Sequence, residues 1–442
     1  MKTLSRMFLI VALAVGLTAG LFANGLNMNG FGARAASMGG AFVGLANDYT
    51  AIFWNPAGLA QLTKATFGLS GDFLLPTSDY TLSSFTMKTK SKLYPAGLLG
   101  YAQPIGDNIV VGLGAYTLSG LGAAWNNTGT PFLEAALISP YPPAAFTPPV
   151  TPSIWESFIG SVTLAPTIAV KVTDQFFLGA SFNINYGFFK LQQWGQYVLV
   201  PPPPAPPAGN LMVAPTLVNL GQQTLDVKGW GFGATFGVLV KPADWISVGA
   251  TFRTESKVKL SGTTEIENIN LLGLANTSDT KMNVPSPMWL AGGVALKPID
   301  QLTWTVDLQW TNWSKLDQIA LEFQDPAWVV GMGSSASLIL NWANKSQIRT
   351  GLEYDFGTFT LRGGYYYDPA PAPDDTLNIL TPSFTFHSVQ AGCGFKSGGL
   401  HVNLAVEYLM GLDRTVALSA DNMPGTYEMH ILVPMISLSY EF

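Results

Sequence analysis

Between Gln301 and Thr311 every second residue is apolar: Leu302, Trp304, Val306, Leu308 and Trp310 alternate with Thr303, Thr305, Asp307, Gln309 and Thr311. Successive side chains of a β-strand point to opposite faces, so this stretch has one greasy and one polar face over a strand's length. The end of the chain repeats the pattern, with Ile436, Leu438, Tyr440 and Phe442 on one face and Met435, Ser437, Ser439 and Glu441 on the other. Only 11% of the 442 residues are charged, where a soluble domain averages roughly 25%. Past residue 22 no evenly apolar run is long enough to cross a bilayer as a helix, and 46 glycines and 30 prolines punctuate the chain. An apolar chain without spanning helices has one way to cross a membrane, a closed barrel, because backbone groups in lipid must be paired within the structure.

Segments of this kind fall near 65–76, 94–104, 108–120, 157–171, 175–191, 228–241, 245–260, 288–298, 301–314, 346–356, 358–367, 386–396, 399–411 and 430–442. That makes fourteen. Their connections alternate between long ones and tight ones such as IGDN, VTD, KPAD, KPID, FG and KSGG, seven long and six short. Short turns at one end and long loops at the other describe an all-β fold, a 14-stranded antiparallel transmembrane β-barrel over residues 63–442, with both termini on the periplasmic side. A soluble all-β sandwich has no reason to alternate its loops in this way.

The first 23 residues carry Lys2 and Arg6, an apolar core from Met7 to Leu17, and small residues at Ala19, Gly20 and Ala23, the layout of a secretory signal peptide. The lone Cys393 has no partner for an internal disulfide. Residues 24–62 read as short helices made largely of small residues. Asp48 is placed to cap a helix ending near Trp54, and Asn55-Pro56-Ala57 opens the next, Asn being a favoured N-cap and Pro a favoured first residue. A barrel of fourteen strands is too wide for its own side chains to fill, so this segment is expected to be a hatch plugging the lumen.

The stretch GARAASMGGAFVGLANDYTAIFWNPAGLA resembles the N-terminal hatch of the FadL family of outer-membrane transporters for long-chain fatty acids and other hydrophobic compounds, including its toluene- and xylene-uptake branch. QPIGDNIVVGLGAYTLSGLGAAW, APTIAVKVTDQFFLGASFNINYG, GWGFGATFGVLVKP with TFRTESKV, VPSPMWLAGGVALKP with WTNWSKL, and YYYDPAPAPDD follow in the family's order. The resemblance implies an outer-membrane location, uptake of fatty acids or related hydrophobic molecules, a hatch motif at Asn55, Pro56 and Ala57, and a kink in the third strand that opens the wall for sideways release. The residues agree with such a kink: in Ser119-Gly120-Leu121-Gly122 two glycines weaken the ladder and favour a bulge. One departure is TPSFTFHS at 381–388, where the family often has an acidic and basic pair.

On the period-two reading Arg253, Glu255, Asp307, Arg349, Glu353, Arg362 and Glu407 face the lumen. Mutual pairing and bonds to the hatch account for most of them, while a fatty acid would need Arg253, Arg349 or Arg362 for its carboxylate. The loops 121–157 and 192–225 are almost uncharged and are expected to capture apolar ligands. Lys88, Lys90 and Lys92 alternate onto one face that suits lipopolysaccharide phosphates. The glycines of GWGFGATFG at 229–237 are read as letting the hatch approach the wall. The three histidines lack metal-ligand spacing and no G-x-S-x-G elbow occurs. The expectation is therefore a monomeric passive channel, not an enzyme, with no cofactor, metal or nucleic-acid partner. Its ligand is a fatty acid or, alternatively, a neutral aromatic hydrocarbon; an adhesin or structural barrel is the third reading.

Overall fold

A computed structural model describes residues 25–83, 85–125, 154–194, 197–200, 216–332 and 336–442. The signal peptide expected at 1–23 and most of the loop at 121–157, with part of that at 192–225, lie outside the described residues. The barrel wall is built from β1 (Thr66–Leu82), β2 (Tyr94–Ile105), β3 (Ile109–Ala124), β4 (Glu156–Thr173), β5 (Phe176–Trp194) and β6 (Gln222–Ala243). It continues through β7 (Ile246–Arg253 and Ser256–Ile266), β8 (Thr277–Ser286 and Trp289–Ile299), β9 (Leu302–Thr311) and β10 (Lys345–Asp355). The last four strands are β11 (Phe359–Asp368), β12 (Phe386–Ser397), β13 (Leu400–Gly411) and β14 (Gly425–Glu441).

Neighbours in this order pair antiparallel, and β14 returns to β1, from Thr66↔Glu441 to Thr81↔Thr426, so the sheet closes on itself. Among the described residues no helix is long and apolar enough to cross a membrane; the crossing is made by strands. Leu308, Leu352, Phe232, Leu404 and Leu438 are exposed on the outer surface, while their strand neighbours Asp307, Gly351, Gly231, Asn403 and Ser437 turn inward or are half-buried. This is the apolar-out pattern that lipid demands.

All fourteen expected strands are present, but several run further toward the long loops. β1 reaches Leu82, β6 starts at Gln222, β7 ends at Ile266, β8 starts at Thr277 and β14 at Gly425. Outside the hydrocarbon layer a strand no longer needs an apolar face, so alternation fades before the hydrogen bonds do. One phase is also corrected. Between Arg253↔Thr235 and Lys259↔Trp230 the register of β7 on β6 slips by one residue. Arg253 and Ser256 both point inward, and Glu255, in the break, is only half-buried.

Inside the wall sits the N-terminal segment, with two helices, α1 (Ala33–Ser37) and α2 (Ala51–Trp54), and a 3-10 helix (Pro56–Gln61). Phe31, Met38, Phe42, Ile52, Trp54 and Leu59 are buried against Leu98, Tyr116, Phe177 and Leu239 of the wall. α1 is shorter than the run of small residues around it because Gly39 and Gly40 adopt φ of +68° and +65°, which glycine tolerates best. The same turn lies against bare backbone: a Cβ on Gly39 would come within 2.6 Å of the Thr350 carbonyl oxygen, and one on Gly364 within 2.0 Å of the Gly39 nitrogen. Of the 229–237 glycines, only Gly237 serves the hatch in this way, facing Asn55 and Ala57; Gly229 and Gly231 lie against the backbone of β7. The expectation that the whole motif faces the hatch is corrected accordingly.

Candidate functional site

Side chains of the hatch and of the wall fasten the hatch in place. Asn55 is fully buried: its Oδ1 accepts from the Ala57 nitrogen, as an N-cap should, and its Nδ2 donates to the carbonyls of Val43 in the hatch and Val238 in β6. Pro56 and Ala57 follow it into the 3-10 helix. Asp307 of β9 accepts from the Val43 nitrogen at 2.8 Å. Arg34 of α1 makes a two-pronged contact with Glu353 of β10, 2.8 and 2.9 Å, and also reaches Asn47 and Asp48. Burial pulls the Arg34 pKa down, but Glu353 and Asp48 outweigh it and hold the guanidinium cationic, above its ordinary value.

The three arginines considered for a ligand carboxylate are all engaged. Arg253 donates to the Phe53 carbonyl and lies over the rings of Phe53 and Trp289. Arg349 donates to Gln347 and to the carbonyls of Asn29 and Gly39. Arg362 bonds Glu353 and Asn403 and lines a polar cavity of about 270 Å³, shared with Arg34, Asp48, His401 and Glu441, at the short-turn end of the barrel.

A different, largely apolar cavity of about 100 Å³ lies under the long loops. Leu74 of β1, Phe384 and Phe386, Leu409, and Met429, Ile431, Val433 and Met435 of β14 supply its greasy lining. The divergent 381–388 segment folds into it through Pro382, Ser383 and Phe384, while Trp125 Nε1 donates to Ile379 nearby. Its charged members are all acidic: Asp72, Asp368 and Glu407. Asp72 is the residue that sequence reasoning missed. The signal was present, since Gly68, Ser70 and Asp72 alternate with Phe67, Leu69 and Phe73 in β1.

One wall of this cavity is the N-terminal run Gly25, Asn27, Met28, Asn29 and Gly30, which meets Gly120 and Leu121 of β3. Here the barrel is irregular. The pairing of β2 with β3 stops at Leu98↔Tyr116, and a bulge shifts the β3–β4 register between Thr117 and Ser119. The bulge, at Leu118, falls two residues before the first of the glycines, which themselves stay paired to β4, Gly120↔Gly160 and Gly122↔Phe158. On the side that β2 has left, Asn27 bridges Ser119: Met28 N donates to the Leu118 carbonyl and Gly120 N to that of Leu26. A second cavity of about 30 Å³ lies against the same segment, lined by Leu26, Asn27, Ser119, Phe188 and Val258 among others.

Of the three lysines in the first long loop, Lys88 contacts Asp79 and Lys92 contacts Glu156.

Residues 155–442 match the family model described as outer membrane protein transport protein (OMPP1/FadL/TodX). The long-chain fatty acid transport protein of Escherichia coli is 23% identical over 425 residues, 86% of this chain and 85% of that protein. Among solved structures, a FadL homologue of Pseudomonas aeruginosa superposes with a TM-score of 0.72 at 19% identity, covering 96% of this chain and all of the other. The toluene transporter TbuX of Ralstonia pickettii gives 0.69 at 19% identity, covering 94% and 99%.

Proposed function

The chain belongs to the OMPP1/FadL/TodX family of outer-membrane transport proteins for hydrophobic substrates, and from that premise we propose that it is a passive uptake channel for neutral hydrophobic molecules. They are captured by the apolar outer loops, held in the cavity beneath them, and released sideways through the wall between β2 and β3. The observation that carries this reading is the junction at Ser119: where β2 and β3 part, the gap in the ladder is covered by a segment of the hatch, and that segment is also a wall of the apolar cavity. An apolar molecule released into water loses about 25 cal/mol for every Å² returned to solvent. Leaving through the wall into lipid avoids that loss.

Between the two expected ligand classes, the geometry favours the neutral one. Arg253, Arg349 and Arg362 are absent from the cavity lining and occupied by the hatch and wall, whereas a carboxylate in the cavity would meet Asp72, Asp368 and Glu407. The test of the route is Gly120→Val with Gly122→Val. A Cβ at Gly122 would stand 2.8 Å from the Tyr94 ring and one at Gly120 has only the Met28 sulfur within 4 Å, at 3.7 Å, so the pair fills the gap region. The expected result is slower uptake of a hydrophobic tracer by cells at matched surface expression. Wild-type uptake by a correctly folded double variant would eliminate the sideways route.

A further inference from the structure

Asp72 is 1% exposed, and neither carboxyl oxygen has a hydrogen-bond partner among the described residues. Its acidic neighbours in the cavity differ. Glu407 accepts from the Tyr366 hydroxyl, from Ser388 Oγ and from Gln390 Nε2, and Asp368 accepts from Gln347 Nε2. A buried carboxyl left unpaired is costly, and such a group in a native protein calls for an explanation. Here it lines a largely apolar cavity walled by Leu74, Phe384, Leu409 and Val433, so a molecule entering that cavity meets a buried carboxyl without a donor, beside two others, Asp368 and Glu407, that already have theirs.

We propose that this cavity binds uncharged apolar molecules bearing a hydroxyl group, phenols or aliphatic alcohols, and that Asp72 selects them by hydrogen bonding that hydroxyl; this rests on the channel reading given above. The hydroxyl suits the site for a reason independent of the proton on Asp72. It donates to a carboxylate and accepts from a carboxylic acid, because it carries both functions. A plain hydrocarbon leaves Asp72 unpaired, and a carboxylate finds no arginine or lysine among the described residues of the cavity lining to pair with. An apolar cavity of roughly 150 Å³ admits benzene. With about 100 Å³ here, a modest retreat of the Gly25–Gly30 wall makes room for one aromatic ring. Sites built to bond a substrate hydroxyl discriminate strongly against the analogue lacking it, since the buried partner is then left unpaired.

Titration calorimetry on the detergent-solubilised full chain, with p-cresol, toluene and p-toluate as a matched set, tests this. The wild type is expected to bind p-cresol at least tenfold more tightly than toluene, with p-toluate weakest. Asp72→Leu should abolish the preference, and Asp72→Asn, nearly isosteric and still able to bond a hydroxyl, should retain part of it. Equal affinity of the wild type for p-cresol and toluene, or a preference that survives in Asp72→Leu, overturns the assignment while leaving the channel reading standing. Binding of none of the three overturns both. Should Asp72→Leu fail the heat-modifiable mobility check for a folded barrel, the wild-type comparison and Asp72→Asn decide the matter between them.

Discussion

Asn55 uses both ends of its side-chain amide: one end caps the 3-10 helix and the other ties Val43 and Val238 together. Loss of an N-cap costs roughly 0.5–2 kcal/mol, and each buried carbonyl left without its donor adds about 1–3 kcal/mol. Asn55→Ala should therefore loosen the hatch locally. Hydrogen exchange across residues 43–61 is expected to accelerate while the barrel keeps its heat-modifiable mobility; unchanged protection there would show that Asn55 is not a fastening. The cap was legible in the sequence because its partner is two residues away. The bond to Val238 was not, since it spans 183 residues, and no local pattern encodes which carbonyl will face a buried amide. Asp72 was legible in principle, by its phase with Ser70, whereas the slip that takes Glu255 out of phase depends on how β7 registers against β6.

At the scale of elements, the N-terminal run Leu26–Met28 pairs with β3 as a short edge strand through two backbone hydrogen bonds. It is held from the far side of the lumen by Arg349, whose Nη1 donates to the carbonyls of Asn29 and Gly39. Arg349→Met should free that run. The expected outcome is faster hydrogen exchange at residues 27–30 and uptake at least equal to wild type at matched surface expression; slower uptake would mean that Arg349 serves the ligand directly, as a fatty-acid reading requires. Strands and tight turns were readable because lipid imposes a strict two-residue period on each span. The disruption in β3 was readable only to within a residue: the glycines marked the region, but the bulge sits at Leu118, where the ladder on β4 absorbs one extra residue. That the hatch itself covers the break is a contact between residues far apart in sequence and left no trace in either segment alone.

The whole molecule is a closed sheet with its ends joined through fourteen paired residues of β1 between Thr66 and Thr81, and an open edge in its ladder where β2 leaves β3. Closed barrels exist to remove edges, so an edge kept and covered by the hatch is the feature on which the proposed sideways route rests. The account requires Leu26–Met28 to leave β3 before a ligand passes. Asn27 and Ser119 form an antiparallel pair without mutual hydrogen bonds, a geometry whose Cα separation of about 4.5 Å suits a disulfide. The most direct measurement is uptake of a hydrophobic tracer by cells carrying Asn27→Cys with Ser119→Cys in a Cys393→Ser background, before and after reduction. The account predicts that the oxidised protein binds the tracer but does not pass it, and that reduction restores transport; uptake at the same rate in both states would contradict it.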